Sequence, residues 1–134
     1  MQCPVCKTEM IVLELSGIEI DHCYFCKGIW LDSDELELLL DEATDKQELL
    51  STFITNKRSK ERKYNCPVCN KKMEKVLAGK TLQVHLDRCR AGHGLWFDKG
   101  ELYQVIRMGG LDKENKIVLF LKDMFDNKEL KEGK

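Results

Sequence analysis

The sequence predicts a small, metal-stabilised α+β fold: two β-hairpin ribbons, each followed by an α-helix, and one more α-helix at the C-terminal end. Three observations carry this. Cysteines fall in two C-x-x-C pairs, Cys3/Cys6 and Cys23/Cys26, with sixteen residues between them. The intervening stretch alternates in polarity on either side of Ser16-Gly17, as a hairpin does. The same pattern then recurs from Cys66 to Leu102, the mark of a duplicated module.

Composition frames the reading. At 134 residues and 43% hydrophobic content, the chain holds one ordinary domain or two very small ones. A unit of about 40 residues buries too little apolar surface to rely on packing alone, and usually carries a metal or disulfide staple. The seven cysteines could serve either purpose. Their odd number, their C-x-x-C spacing and the placement of Cys3 so near the first residue, with no presequence before it, favour reduced thiolates in a cytoplasmic protein. No apolar run approaches the length of about 18 residues that a membrane span requires. A formal net charge of −1 and a pI near 6.3 lack the strongly basic footprint of a general nucleic-acid binder. Any contact with nucleic acid would be local.

Residues 1–40 are read as the first ribbon with the start of its helix. In Cys3-Pro4-Val5-Cys6, proline fixes φ and leaves neighbouring N–H groups free to point at sulfur. Residues 10–15 and 18–21 have strand character, with Val12 or Leu13 joining Ile18 and Ile20 on one covered face. Cys23 to Cys26 form the second knuckle, and Gly28 is expected at positive φ as the chain leaves it. Asp32 is placed as an N-cap, with Glu35 completing a capping box. Beyond it, Leu36, Leu39, Leu40, Ala43, Leu50, Phe53 and Ile54 recur at helical spacing. Residues 41–63 are therefore read as a connecting helix, broken near Thr44-Asp45 and reaching about Arg62, that ends in a basic linker. That linker, 57–63, is a solvated tail or, alternatively, a contact for phosphate or an acidic partner.

Residues 64–110 repeat the ribbon and helix. Cys66-Pro67-Val68-Cys69 matches the first knuckle, and Met73 stands where Met10 does. Asp87, Trp96 and Glu101 keep the distances from Cys89 that Asp21, Trp30 and Glu35 keep from Cys23. Gly109-Gly110 ends the second helix in C-cap fashion. Within 111–134, a last helix is expected from Leu111 to Leu130. It is apolar on nearly every side at 117–121, so it should pack on the helix after the first ribbon or on another copy of the chain.

Two thiolate pairs brought together by a hairpin make a tetrahedral site suited to one zinc ion. Cys3, Cys6, Cys23 and Cys26 supply the first such site. In the second, Cys66, Cys69 and Cys89 lack a fourth cysteine, and His93 follows Cys89 in a C-x₃-H knuckle that can present an imidazole nitrogen. Seven cysteines and this histidine complete two four-ligand sites for two Zn²⁺ with none left over. His22 and His85 align with Arg88 and Glu19 and are read as ordinary side chains. Sites closed by four protein ligands leave no position for activated water, which argues against an enzyme. Met10 and Met73 are read as core. Trp30 and Trp96 are read as lids packing the following helix onto the ribbon, or alternatively as exposed anchors for a partner. Nucleophile elbows, phosphate-binding loops and H-E-x-x-H are absent from the sequence.

The stretch Cys23-x-x-Cys26-Lys-Gly28-Ile-Trp30-Leu-Asp32-x-x-Glu35-Leu36 closely resembles the transcription-factor-IIB-like zinc ribbon family. So does its copy, Cys89 to His93 followed by Gly94-Leu-Trp96-Phe-Asp98-x-x-Glu101-Leu102. The resemblance covers residues 3 to about 40 and 66 to about 107, and implies a zinc-ribbon fold with the ligands just named. It also implies, by fold-level analogy, a role near RNA polymerase. The expected function is a non-catalytic interaction module with a protein partner, possible homo-oligomerisation through residues 111–130, and a possible link to transcription. The alternative is a redox or electron-transfer protein using iron or dithiol chemistry at the four-cysteine site.

Overall fold

The computed structural model describes residues 1–80 and 82–126. Its strands join one antiparallel sheet of seven, in the order β1-β2-β3-β7-β6-β5-β4. The first hairpin is β1 (Ile11–Leu15) and β2 (Ile18–His22). Ser16 and Gly17 both take positive φ, 53° and 82°, the geometry of a two-residue hairpin turn that matches strand twist. This turn sets Leu15 opposite Ile18 and Leu13 opposite Ile20. Leu13 therefore joins the core side, and Val12 faces outward, 60% exposed. β3 (Ile29–Asp32) adds to β2, and in the second copy β7 (Gly94–Phe97) adds to the hairpin of β5 (Glu74–Ala78) and β6 (Val84–Arg88).

The two copies are fused through β3 and β7, where Ile29 faces Phe97, Trp30 faces Trp96 and Leu31 faces Leu95. Trp30 and Trp96 are equivalent in the two repeats and are paired with each other, so a local pseudo-twofold axis passes between them. Alternation along these strands then sorts side chains to two faces. Ile29, Leu31, Leu95 and Phe97 enter a core shared with the helices, while Trp30 and Trp96 enter a second cluster with Met10, Met73 and the cysteines.

The helices depart from the sequence expectation. The connecting helix expected to reach Arg62 is instead α1 (Glu35–Leu39), α2 (Lys46–Ser51) and the short strand β4 (Ile54–Thr55). Tertiary contacts override helical periodicity here. The Asp45 N–H donates to the Gly109 carbonyl at 2.8 Å, and the Thr44 hydroxyl to the Gly110 carbonyl, which tie the chain to the end of α3 (Glu101–Met108). Ile54 and Thr55 are then drawn out as an edge strand against Leu77 and Val76. α4 (Lys116–Asp126) begins later than Leu111, and the expected stretch 127–130 lies outside the described residues. It packs chiefly on α3, and buries Ile117, Val118 and Leu121 in the core it shares with Leu36, Leu39 and Leu40 of the first repeat. Gly110, at φ 90°, supplies the left-handed residue after α3.

Candidate metal centres

Each knuckle closes in the same way. The Cys3 N–H donates to the Thr8 carbonyl and the Lys7 N–H to the Cys3 carbonyl; Cys66 repeats this with Lys71 and Asn70. Lys7 and Asn70 take φ of 65° and 63°, which turns the chain back beneath the sulfur. In that turn, the Val5 and Cys6 N–H groups donate to Cys3 Sγ at 3.4 and 3.3 Å, and the Val68 N–H to Cys66 Sγ at 3.3 Å. Across the first ribbon, the Cys26 N–H donates to Cys23 Sγ at 3.5 Å. These aimed dipoles stabilise negative charge on sulfur, the form a metal requires.

The sulfurs of Cys3, Cys6, Cys23 and Cys26 lie within 4.8 Å of one another, as do the donor atoms of Cys66, Cys69, Cys89 and His93. A tetrahedron with Zn–S bonds of about 2.3 Å has S···S edges of about 3.8 Å. Cys3 Sγ stands 3.7 Å from Cys26 Sγ, and Cys69 Sγ 3.7 Å from Cys89 Sγ. His93 Nδ1 lies 3.3 Å from Cys89 Sγ. Both groups could hold a metal ion, and their spacing and donor chemistry fit zinc. Both of these sulfur–sulfur contacts join opposite knuckles.

The one-residue difference between the repeats has a local cause. The first site's turn closes from Lys27 N–H to Cys23 carbonyl with Lys27 at positive φ, 68°. The second closes one residue sooner, from Gly92 N–H to Cys89 carbonyl, with Gly92 at φ 85°. The shorter turn occupies the fourth-cysteine position with glycine, and His93 reaches back with its longer side chain. Positive φ thus falls on Lys27, and the expectation for Gly28 is corrected.

Burial and hydrogen bonding divide the thiols. Burial raises Cys23, but the N–H groups of Cys26 and Phe25, with the adjacent thiols, outweigh it and hold the group at about 7. At Cys89 the N–H groups of His93 and Ala91 and the imidazole do the same, to about 6. Burial prevails at Cys66, pushed up to about 11, and at Cys3 and Cys26, also raised.

Asp32 and Asp98 do not cap helices. Asp32 accepts from the Trp30 indole N–H at 2.8 Å, and Asp98 from Trp96 at 3.0 Å. The N-cap positions are Asp34 and Gly100, both left-handed at φ 76° and 81° and without a side-chain cap bond. Half the capping box survives, because Glu35 and Glu101 accept the Asp32 and Asp98 N–H groups at 2.7 and 2.9 Å. W-x-D-x-x-E is thus a clamp that fixes a fully buried tryptophan beside the metal knuckles.

Trp30 and Trp96 are wholly buried with Cys3, Cys23, Cys66 and Cys89, which sets aside the reading of exposed anchors. Met10 and Met73 are buried in the same cluster, as expected. The sequence reading missed that each tryptophan covers the other repeat. A Cβ on Gly28 would lie 2.2 Å from Trp96 Cζ2, and one on Gly94 2.6 Å from Trp30 Cζ2. The available signal was the pair of unbroken apolar runs after these glycines, Ile29-Trp30-Leu31 and Leu95-Trp96-Phe97, which read as strands buried on both faces.

A small α+β sheet bearing two knuckled, four-donor centres defines a tandem zinc ribbon. The family described as transcription factor zinc-finger, of the transcription-factor-IIB zinc-ribbon type, matches over residues 2–42 and again over 65–108. These two stretches make up more than half of the chain, and the protein belongs to that family. No curated protein and no solved structure matches it. Among the described residues, no helix is long and apolar enough to cross a membrane.

Proposed function

We propose that the chain is a non-catalytic interaction module folded around two zinc ions, one held by Cys3, Cys6, Cys23 and Cys26 and the other by Cys66, Cys69, Cys89 and His93. The observation that supports it most is the pair of four-donor clusters roofed by buried tryptophans. A metal closed in by four protein ligands has no coordination position for water or substrate, so it serves the fold. Structural zinc sites contribute about 10–16 kcal/mol of apparent binding free energy, which becomes folding free energy when the site does not pre-exist in the unfolded chain. The family's namesake gives the module a place in transcription as its first candidate setting, with a protein as partner.

Metal analysis tests the reading. Protein expressed without added metal should carry two zinc ions per chain and be colourless, and His93→Ala should fall towards one. Iron with its visible absorption would turn the reading to electron transfer, and two tight zincs in His93→Ala would require another fourth ligand. In the same preparations, recovery of RNA polymerase by the metal-loaded chain but not by the chelated one would support the transcriptional setting.

A further inference from the structure

The two ends of the sheet are equivalent in the duplication but not in what covers them. At one end, β4 lies antiparallel along the outer edge of β5, pairing Ile54 with Leu77 and Thr55 with Val76. The Asn56 N–H extends the contact by donating to the Lys75 carbonyl at 2.8 Å. At the other end, β1 is the last strand, and among the described residues no strand lies beyond it. By the repeat, Val12, Leu13 and Glu14 stand where Lys75, Val76 and Leu77 do. A two-residue hairpin makes Leu15 and Ile18 a hydrogen-bonded pair, so Leu13 and Ile11 also bond to β2 while the backbone groups of Val12 and Glu14 are aimed outward. Ile11 and Val12 beside this edge are 46% and 60% exposed. An open, apolar edge strand is a template for strand addition.

Charge says what chemistry fits. Between Lys7 and Lys27 the first ribbon carries Glu9, Glu14, Glu19 and Asp21 and no lysine or arginine. The second ribbon is the reverse, with Lys71, Lys72, Lys75, Lys80, Arg88 and Arg90 against Glu74 and Asp87. Antiparallel pairing of two β1 strands would gather the acidic groups of two ribbons along one sheet and, in the register centred on Glu14, set the two Glu14 carboxylates against each other; like charges facing across a ladder destabilise it. The segment that fills the equivalent edge runs from Phe53-Ile54-Thr55 through Asn56 into Lys57 and Arg58. We propose that the outer edge of β1 docks an extended segment of a partner protein, antiparallel to β1, in which a short apolar stretch runs into lysine or arginine. The proposal rests on reading the chain as an interaction module and names the surface that module uses.

The test uses the full metal-loaded chain and, as probe, a synthetic peptide with the sequence of residues 50–60 of this protein. Titration should saturate and slow hydrogen exchange at the Val12 and Glu14 amides at least tenfold. Val12→Pro removes an outward N–H without taking a bond from β2, and should weaken the peptide at least tenfold. Glu14→Lys should do the same and regain affinity for a peptide carrying glutamates in place of the basic pair. Free exchange at saturating peptide, or binding indifferent to Val12→Pro and Glu14→Lys, would overturn the proposal. Concentration-dependent dimerisation that protects the same amides without peptide would overturn it in favour of a second copy. Zinc is counted on the same samples: two ions with no docking rejects the edge alone, whereas loss of zinc from the native chain rejects the module.

Discussion

Replacing Gly28 with alanine should damage the contact between the repeats, and a second substitution across the interface should repair it. The added Cβ would lie 2.2 and 2.4 Å from Cζ2 and Cη2 of Trp96, and that ring is fully buried with its indole N–H held by Asp98. The ring cannot swing into solvent, so β3 or the indole must shift. Overpacking of this kind costs about 1–3 kcal/mol, and the rigid surroundings place Gly28→Ala near the upper end. Trp96→Phe deletes the two offending atoms but leaves a void and an unpartnered Asp98 carboxylate, and costs about 1–3 kcal/mol on its own. The double variant should be more stable than the sum of the two losses by at least about 1 kcal/mol. Gly94→Ala makes the control. Its Cβ meets the Leu31 carbonyl at 2.2 Å as well as Trp30, and a backbone atom in the β3–β7 ladder cannot be trimmed, so Trp30→Phe should not rescue it. Denaturant unfolding at fixed free zinc measures every variant, since bound metal otherwise shifts apparent stability. Additivity of Gly28→Ala and Trp96→Phe would refute the cross-repeat packing.

Two further outcomes follow from buried charge. Lys75 is bonded to both carboxylate oxygens of Asp87 at 3.2 and 3.0 Å, each side chain almost wholly buried. Lys75→Met should therefore cost about 3–5 kcal/mol by stranding Asp87; a loss below about 1 kcal/mol in denaturant melts would contradict it. Burial pushes Glu101 up to about 8, with Asp98 and Asp87 adding repulsion against the lowering by the Asp98 N–H. Because the folded-state value is raised, the stabilisation from the neutral acid is complete below about 4.5 and lost as pH rises through about 8. Glu101→Gln should thus gain on the parent by about 1–2 kcal/mol between pH 6.5 and 9, after allowance for solvent screening. Parallel stability curves over that range would refute the assignment.

How much of this was legible in the residues depends on the range of the interaction. Hairpins and knuckles were readable because Ser16-Gly17 and the C-P-V-C turns are local geometry written in a few positions. The donor sets could be counted, and the structure brings all eight residues into two clusters. Asp32 was legible as part of a recurring unit but not in its role. A carboxylate three residues before a glutamate fits a capping box, and only the fold shows the Trp30 indole taking its oxygen instead. The long helix failed for a different reason. Its apolar positions are real and several are buried, but Asp45 and Thr44 bond to the end of α3, more than sixty residues away in sequence, and no local pattern reports that.

The pairing of the repeats changes what a metal at these sites would have to do. Separate ribbons of about 40 residues would depend almost wholly on metal. Here the β3–β7 ladder merges their apolar residues into one core reaching from Leu15 to Leu121, so the helices and inner strands have packing of their own. The metal centres lie on the opposite face, joined through Trp30 and Trp96. Zinc held there would fix the knuckle face, and each tryptophan ties one repeat's knuckles to the other's backbone. The sheet's ends are free of that constraint. One has been covered by β4, and the other keeps the outward groups of Val12 and Glu14. Duplication of a closed metal unit has in this way yielded, among the described residues, one edge covered by a strand and one edge without one on a common sheet.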